Sequence, residues 1–440
     1  MSNKEFSEIT PLKTSGKSEL HMFLQSFSEL SRSRIDLFYL FAVGAVETLG
    51  ICIITTGLSI YLSTARGLSD LLTGYIIASY GGLAFIYSIL FGSLIDKYGL
   101  KICLILGNFS ALFGYMIIIF NSSISVQVFC IITFISGGNS VVIPTLKLGI
   151  KHYANDNAKS LGYSTLYILI FGAGAMAGVL VDVGLSIGSK DLKTFTIIFS
   201  IGGCFIVLST ALSFLITDIE RSTEAINSWE ITKEVFQTKV FLKFMCLTLL
   251  LVVIKALYNH MSMTLPLYMH RSIGEDAHFG YMLAIHKGVM VIFIPLLTSM
   301  IYFFSCYSLL MIGGFISALS VIPLLFEASY LSVTIFIVIV SIGESLYAPR
   351  LIDYALSIAP PGKEGTFISL ASSPLALSMI IAGLSGGVLL TEFCPSHGDK
   401  HCWAVWGIIG LITLTIPIIM LIFREYLEEK NQTDKNLDSL

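Results

Sequence analysis

Twelve long apolar stretches run through this 440-residue sequence and restrict the folds that the chain can adopt. Hydrophobic residues make up 55% of the sequence and charged residues 12%, and the mean hydropathy is +0.83. A helix of about 20 apolar residues crosses the ~30 Å hydrocarbon core of a bilayer, where backbone polar groups must bond to one another. The sequence therefore predicts an all-α membrane protein with twelve transmembrane helices, at 36–62, 71–95, 100–120, 125–149, 160–185, 194–216, 242–268, 279–302, 306–326, 331–356, 366–391 and 403–424.

Two stretches about half a chain length apart share the pattern Gly-x-Ser-x-x-x-Pro, at Gly138 to Pro144 and at Gly343 to Pro349. Internal repeats are common in secondary transporters, whose halves enclose a site near the bilayer midplane. The longest polar stretch lies between the sixth and seventh spans. We therefore predict two pseudo-symmetric six-helix bundles, 36–216 and 242–424, joined by a cytoplasmic linker, 217–241, and flanked by cytoplasmic tails, 1–35 and 425–440. The linker forms either a helix on the membrane surface or a solvated segment.

Positive charges are distributed unevenly across the predicted topology. Nineteen of the 26 Lys and Arg residues fall on the side of the termini, five fall on the other side and two lie within spans. Since cytoplasmic loops are enriched in Lys and Arg, both termini are predicted to be cytoplasmic. The first thirty-odd residues contain no signal-peptide core, so the first span is expected to remain in the mature protein. The expected location is a plasma membrane or a bacterial inner membrane.

Glu344 lies about halfway along the tenth predicted span. An ionised side chain at that depth costs at least ~2.5–3.5 kcal/mol when it faces lipid, so it usually faces a bundle interior or a water-filled path. A carboxyl group there can bind and release a proton, which makes Glu344 a candidate for proton coupling. The alternative is a structural carboxyl group bonded to a neighbouring helix. Asn139, its counterpart in the repeat, is uncharged and can only hydrogen-bond.

Five other ionisable side chains fall well inside predicted spans: Glu47, Lys255, His260, His286 and Lys287. Glu47 and Lys255 lie at comparable depth in spans one and seven, which predicts an ion pair that either breaks during transport or fixes helix packing. Glu47 is thus a second candidate for coupling. His260 is either a proton relay or a hydrogen-bonding residue. His286 and Lys287 point about 100° apart on a helix, so we do not expect both to face a cavity.

The loop between spans two and three, Gly92 to Lys101, contains a recognisable motif. It resembles the G-x-L-x-D-[RK]-x-G-x-[RK] signature of the major facilitator superfamily at every specified position, including Gly92, Asp96, Lys97, Gly99 and Lys101. This resemblance implies a twelve-helix transporter that works by alternating access. An ordinary charged turn is the alternative for this loop. The corresponding place after span eight, residues 299–304, lacks the signature.

A second, narrower resemblance is to the proton-coupled oligopeptide transporters of that superfamily. Glu344 with Pro349 looks like the tenth-helix region of that family, Glu47 falls in its first-helix motif and Tyr167 in its fifth-helix signature. The resemblance implies a coupling role for Glu344 and a substrate contact for Lys147, which otherwise would extend its ammonium into the headgroups. Three positions depart from the family, which has glutamate, arginine and asparagine there: Gly44, Thr48 and Phe171.

Residues near the two membrane surfaces suggest further roles. Arg350 and Asp353 share a helix face near the cytoplasmic end of span ten, where they form either a local ion pair or a cytoplasmic gate. Cys394 and Cys402 bracket a polar loop on the outer side, where a disulfide can persist; a Cys/His metal site is the alternative. The other six of the eight cysteines are interpreted as small core residues. Among the tyrosines, Tyr167 and Tyr347 are predicted to line a cavity.

Together these features predict a secondary transporter and not an enzyme. The sequence lacks the nucleotide-binding loop G-x-x-x-x-G-K-[ST], so a proton gradient is the expected energy source. The expected partners are protons, the lipid bilayer and a small polar solute, with a peptide or an amino acid favoured and uptake by symport the favoured direction. The net charge of −3 without a basic stripe argues against nucleic-acid binding. We expect a monomer with no cofactor and no metal.

Three alternative functions stay open at this stage. Proton-antiport efflux of drugs or metabolites is the first, although the run from Gly172 to Gly178 lacks the proline that would complete the fifth-helix antiporter signature. A nutrient sensor on the same fold would bind a solute without transporting it. A membrane-embedded enzyme would need a clustered His/Asp or metal site at an interface, and the sequence offers no convincing one.

Overall fold

The computed structural model describes residues 27–121, 123–155, 158–188, 190–218, 239–298, 305–358 and 364–424. The regular elements in these ranges are helices, which fall into two sets of six along the chain. The first set comprises α1 Ile35–Ala65, α2 Asp70–Tyr98, α3 Leu100–Phe120, α4 Ile124–Tyr153, α5 Lys159–Ile187 and α6 Leu192–Ser213. The second set comprises α7 Lys239–Met263, α8 Phe279–Thr298, α9 Cys306–Leu319, α10 Tyr330–Ile358, α11 Glu364–Phe393 and α12 Cys402–Ile422. Most of the predicted linker and of both predicted tails lies outside the described residues.

Breaks and caps in these helices follow from single residues. After α7 the chain bends by 48° into a short helix, Leu265–Ser272, because Pro266 cannot continue the hydrogen-bond ladder of α7. Ser69 begins α2 by accepting the Leu72 N–H at 3.3 Å, and Asp191 begins α6 by accepting the Thr194 N–H at 2.9 Å. Eleven described helices are long and apolar enough to span a membrane, and the bent pair brings the count to twelve.

Large apolar side chains point outward from the helices, toward the lipid. Among them, Leu106, Phe120 and Ile197 are mostly exposed on the protein surface. The interior instead contains many small and polar residues. Lipid is as apolar as a leucine side chain, so helix association in a membrane depends on close packing and hydrogen bonds rather than on hydrophobic burial.

Glycine pairs bring helices together within each half. Gly138 of α4 lies against the backbone carbonyl of Gly107 in α3, and Gly343 of α10 lies against the carbonyl of Gly313 in α9. A side chain at either position would overlap the neighbouring backbone, which explains the need for glycine. Since Gly138 and Gly343 begin the two copies of the sequence repeat, the repeat occupies equivalent helix contacts in the two halves.

The two halves meet mainly through α2 with α11 and α5 with α8. We call the membrane side that holds the loop 394–401 the disulfide face, and the side that holds the Gly99 turn the signature face. Gly74 packs on Gly383, and Gly178 packs on Gly280, both in the parts of these helices nearest the disulfide face. The halves are therefore in close contact near the disulfide face in this conformation.

Candidate functional site

Three helices of the second half bring together a cluster of ionisable side chains. Glu344 lies near the middle of α10, and its Oε1 is 3.5 Å from Nζ of Lys255 in α7. Its Oε2 is 3.3 Å from Nε2 of His286 in α8. The side chains of Lys255 and Glu344 are 13% and 12% exposed. This carboxylate therefore has a cationic and an imidazole partner in a largely dry environment.

Aromatic rings surround the lysine of this cluster. Nζ of Lys255 is 4.9 Å from the ring centroid of Tyr347 and 5.9 Å from that of Tyr258, within the range of cation–π attraction. The Tyr258 hydroxyl bonds to Oγ of Ser317 at 2.6 Å and donates to the Val340 carbonyl at 3.2 Å. The Tyr347 side chain is fully buried. The rings thus fix the position of the ammonium group.

The partner of Lys255 differs from the one that depth along the helices predicts. Glu47 of α1 was the predicted partner, yet the structure pairs Lys255 with Glu344, and Oε1 of Glu47 is buried without a hydrogen-bond partner among the described residues. Equal depth does not determine which way a helix face points, because successive residues rotate by about 100°. Two side chains at the same depth along neighbouring helices can therefore point in different directions.

The first half contributes uncharged polar groups near Glu47. Nδ2 of Asn139 in α4 donates to the hydroxyl of Tyr80 in α2 at 2.7 Å, and Oδ1 of Asn139 has no partner among the described residues. Glu47 lies on α1 of the same half, where its Oε1 also lacks a partner among the described residues. Buried polar atoms without partners cost free energy, so this arrangement suits a site that another molecule completes.

Two further lysines lie around this region. Lys287 of α8 extends across the interface between the halves, with Nζ 5.1 Å from the ring centroid of Phe171 in α5. Lys147 of α4 is half-buried. His286 and Lys287 thus contact different partners, as expected from their 100° separation. Neither Lys147 nor Lys287 forms a salt bridge within the part of the chain that the structure describes.

His260 and Tyr167 lie apart from the ion-pair cluster. Nδ1 of His260 is 2.9 Å from the Thr264 hydroxyl, and its Nε2 is 3.1 Å from the Ser385 hydroxyl of α11. Both ring nitrogens therefore have partners, which fits the hydrogen-bonding alternative for this residue. The ring of Tyr167 stacks on that of Phe171 with the centroids 6.0 Å apart, beside Lys287.

The signature loop forms a tight turn between α2 and α3. Gly99 has φ of 84°, a conformation that glycine adopts without strain. Nζ of Lys101 donates to the Phe214 carbonyl after α6 at 2.9 Å, and Nζ of Lys97 lies 5.3 Å from the ring centroid of Tyr98. Gly92 and Asp96 belong to α2, but the side chain of Asp96 lies outside the described part of the structure. The same holds for the side chains of Arg350 and Asp353 in α10.

A salt bridge between the halves closes the disulfide face. Arg271 donates to both carboxylate oxygens of Asp70, at 2.6 and 2.9 Å, and to the carbonyl of Cys394 at 2.8 Å. Cys394 forms a disulfide with Cys402 across the loop that joins α11 and α12. Asp70 begins α2 of the first half, whereas Arg271 lies in the last turn of the short helix after α7. The bridge thus connects both halves and the disulfide loop.

A second polar contact lies on the same face. Oδ2 of Asp182 in α5 accepts the N–H of Tyr281 at 2.7 Å, in the first turn of α8. The carboxylate compensates the free N–H groups and the positive end of that helix. Sequence reasoning missed Asp70, Arg271 and Asp182 as functional candidates, because each lies near a span end and resembles an ordinary surface charge. Their position opposite a partner in the other half becomes visible only in three dimensions.

The described side chains offer no set of ligands for the Cys/His metal site that is the alternative interpretation of the Cys394 loop. Within the described ranges, no three His, Cys, Asp or Glu side chains come together as a metal site would require. Both cysteines are joined to each other in the structure. The site that the geometry offers is therefore the ion-pair cluster between the two faces.

The sequence model of the Major Facilitator Superfamily matches residues 40–301 and 261–438. The chain therefore belongs to this superfamily, which confirms the resemblance stated from the sequence. It is an integral, multi-pass membrane protein and a secondary transporter rather than an enzyme. The prediction of an all-helical fold with about twelve spans is also confirmed.

Individual relatives agree with this assignment. The chain is 25% identical over 394 residues to the uncharacterized MFS-type transporter YqjV of Bacillus subtilis (strain 168), covering 87% of this chain and 92% of the relative. A POT family transporter in complex with 5-aminolevulinic acid has a similar structure, with a TM-score of 0.74, 15% identity, and coverage of 89% and 96%. An auto-inhibited POT family peptide transporter also gives 0.74, with 12% identity and coverage of 91% and 98%. At these identities the structural likeness shows the fold alone.

Proposed function

We propose that the protein takes up a small polar solute together with protons, by alternating access of the two halves. The observation that supports this most directly is Glu344, an acid near the middle of α10 that is held between Lys255 and His286. An acid with partners in a membrane interior usually has a functional role. A peptide or an amino acid is the favoured solute, in line with the POT family neighbours that were solved with such ligands or described as peptide transporters.

The geometry suggests how a proton and a solute would act on the same cluster. Protonation of Glu344 removes the negative charge that holds Lys255, so the ammonium becomes available to an incoming solute. Release of the proton restores the pair and displaces the solute. Because the halves touch near the disulfide face, this conformation is the one in which the site would open toward the signature face, which is proposed to be cytoplasmic.

The test is proton-driven uptake into proteoliposomes, with a solute first identified by a thermal-shift screen of dipeptides, amino acids, nucleosides, sugars and carboxylates. We expect Glu344→Gln to abolish accumulation driven by an imposed pH gradient, because the coupling group is gone. Exchange of labelled for unlabelled solute should persist, since exchange needs no net proton movement.

Glu327→Gln is the matched control, because Glu327 is exposed in the loop before α10. This variant should accumulate solute as the parent protein does. Unchanged proton-driven accumulation by Glu344→Gln would refute the coupling role of Glu344. Accumulation that depends on an oppositely directed pH gradient would instead establish antiport.

A further inference from the structure

We infer that His286 and Glu344 share one proton, so that the proton-binding site consists of both side chains rather than of Glu344 alone. This inference rests on the proposed function, because it adds a second residue to the coupling site proposed there. It comes from the hydrogen bonds around the two side chains, which determine where each hydrogen atom can lie.

Ser341 of α10 lies between the ring of His286 and a backbone carbonyl group. Its buried Oγ is 2.6 Å from the carbonyl oxygen of Ile337 and 2.7 Å from Nδ1 of His286. A carbonyl oxygen can only accept, so the single hydrogen of the hydroxyl group points to Ile337. The hydroxyl oxygen must then accept a hydrogen from the histidine. The geometry therefore places a hydrogen on Nδ1 of His286.

The other ring nitrogen of His286 faces Glu344. In a neutral imidazole with hydrogen on Nδ1, Nε2 carries a lone pair and no hydrogen. Nε2 is 3.3 Å from Oε2 of Glu344, and His286 is only 2% exposed. A lone pair that faces an ionised carboxylate at this distance is repelled by it, and little water is available to weaken the repulsion. A proton on either side chain removes the repulsion, so the pair holds one.

The other ionisable groups near the ring do not replace this proton. From α7, Lys255 contacts the other oxygen of Glu344, and the ring centroid of Tyr258 is 6.4 Å from that of the imidazole. From α5, Asp182 binds the first turn of α8, more than one turn before His286. Lys287, the neighbour on α8, extends toward a phenylalanine ring of α5. Among the salt bridges of the described residues, His286 takes part only in the one with Glu344.

The shared proton can occupy two positions without changing the net charge of the pair. On His286 it gives an imidazolium beside an ionised Glu344, and the carboxylate then compensates Lys255. When the N–H bond at Nε2 breaks and an O–H bond forms at Oε2, both side chains become neutral and Lys255 loses its partner. Transfer of one proton over this short distance would thus release Lys255 to a solute. An imidazole ordinarily exchanges its proton between about pH 5 and 8, which suits a site loaded near neutral pH.

Solid-state NMR of the reconstituted full-length protein counts these protons without requiring transport. Isotope-labelled histidine and glutamate show whether Nδ1, Nε2 and the carboxyl group carry hydrogen, and the signals are assigned by their loss in His286→Gln and Glu344→Gln. Near neutral pH we expect hydrogen on Nδ1 and one further proton, on Nε2 or on the carboxyl group of Glu344. Any other result would overturn the inference, above all a neutral histidine beside an ionised Glu344.

Serine substitutions on α10 test the same arrangement and keep the histidine in place. Ser341→Ala deletes the acceptor of the Nδ1 hydrogen, so the ring should change to the neutral form with hydrogen on Nε2 only, and the shared proton is lost. Ser345→Ala is the matched control, because Ser345 lies one turn later and bonds to the Ser341 carbonyl and the Met290 sulfur. It should keep the NMR signals of the parent protein. Unchanged protonation of His286 in Ser341→Ala would refute the hydrogen placed on Nδ1.

Proton-driven uptake then tests the role of His286 in coupling. The amide of His286→Gln can still bond to Glu344 but cannot carry a proton. Since a carboxyl group alone ordinarily titrates near pH ~4.3 and an imidazole near ~6.5, accumulation near neutral pH should fall about tenfold or more and recover toward acid pH. His260→Gln is the control, because His260 is also buried and bonds to two hydroxyl groups, so the pH profile should not move. An unchanged profile in His286→Gln would overturn the inference.

The outcome for the shared proton and the outcome for transport are separable. A shared proton in the NMR spectra without proton-driven uptake would contradict the proposed function and leave the inference standing. Proton-driven uptake by a protein whose His286 carries hydrogen on Nε2 alone would overturn the inference and leave the proposed function standing.

Discussion

Lys255 and Glu344 each lack ready access to water, so the two charges depend on each other. Removing one partner of a buried pair leaves the other charge without compensation, which typically costs about 3–5 kcal/mol, whereas removing both can be nearly neutral. We expect Lys255→Met to lower stability by about 2–3 kcal/mol, since His286 also contacts the carboxylate and each side chain is slightly exposed. The double variant Lys255→Met/Glu344→Gln should recover most of that loss.

The measurement is a double-mutant cycle from unfolding of the purified protein in detergent. The coupling energy isolates the interaction between the two side chains if neither single variant makes new contacts. Lys193→Met provides the baseline for removing an exposed lysine. Additive effects in the cycle, with no recovery in the double variant, would show that the two side chains do not interact energetically.

Glu47 presents the opposite situation, because no cation lies within salt-bridge distance of it among the described residues. Glu47→Gln should therefore change stability by less than about 1 kcal/mol, since it leaves no partner unbalanced. Glu344→Gln leaves the charge of Lys255 without its partner. It should therefore lower the stability of the protein more than Glu47→Gln does. Unfolding of both variants under one condition compares them directly, and equal destabilisation would indicate a cationic partner for Glu47.

Single residues also show where sequence reasoning stops. The sequence predicts that Glu344 and Lys255 face the protein interior, because lipid penalises a charge, and it leaves open whether His286 or Lys287 does so. It did not predict that Glu344, Lys255 and His286 meet, because that depends on the rotation of α7, α8 and α10 about their axes. The depth predicted for Glu47 did not identify its partner, since Lys255 pairs with Glu344 instead.

Helix contacts between the two halves depend on glycine residues. Gly74 of α2 packs against the backbone carbonyl of Gly383 in α11, and an added methyl group would overlap that oxygen. Gly74→Ala should therefore separate α2 from α11 and favour a conformation open at the disulfide face. A bias of about 1.4 kcal/mol changes the population ratio about tenfold.

Labelling of an introduced cysteine can follow this opening. Thr73→Cys places a thiol in the narrow groove between α2, α11 and the short helix after α7. Its reaction with a maleimide should be several-fold faster in the Gly74→Ala background, after subtraction of labelling at the native cysteines. Gly82→Ala is the matched control on the same helix, because its nearest neighbour would be Cδ1 of Ile380 at an ordinary 3.7 Å. Equal labelling in both backgrounds would contradict the proposed tight contact.

The number and position of the transmembrane helices were the features of this structure that the sequence predicted best. Apolar length alone predicts the spans, since a helix in lipid must be both long and apolar. The helix ends differ where the membrane boundary and the helix end do not coincide, as in α2, which continues to Tyr98 beyond the predicted 71–95. Span seven breaks at Thr264 because Pro266 interrupts the backbone ladder. The pairing of α2 with α11 and of α5 with α8 is absent from any local pattern, because it joins distant parts of the chain.

At the scale of the whole molecule, the salt bridge between Asp70 and Arg271 connects the halves at the disulfide face. Both side chains are largely buried, at 11% and 5% exposed, and their two parallel hydrogen bonds require the halves to be close together. Asp70→Asn should weaken this closed arrangement by about 1.5–3 kcal/mol, the usual value of a hydrogen bond to a charged group. We expect faster maleimide labelling of Thr73→Cys in this background too.

Substitution of Arg66, the arginine closest in sequence to Asp70, is the control for this experiment. Arg66 donates to the hydroxyl of Tyr61 and to Gln127, both in the first half, and we expect Arg66→Gln to leave labelling unchanged. The charge swap Asp70→Arg/Arg271→Asp should restore closure in part, because an aspartate at 271 cannot donate to the Cys394 carbonyl as Arg271 does. Full restoration would show that the disulfide loop contributes nothing to the closed conformation. No effect of Asp70→Asn on labelling would mean that glycine packing alone holds the halves together. In that case the double variant Gly74→Ala/Asp70→Asn would be labelled at the same rate as Gly74→Ala.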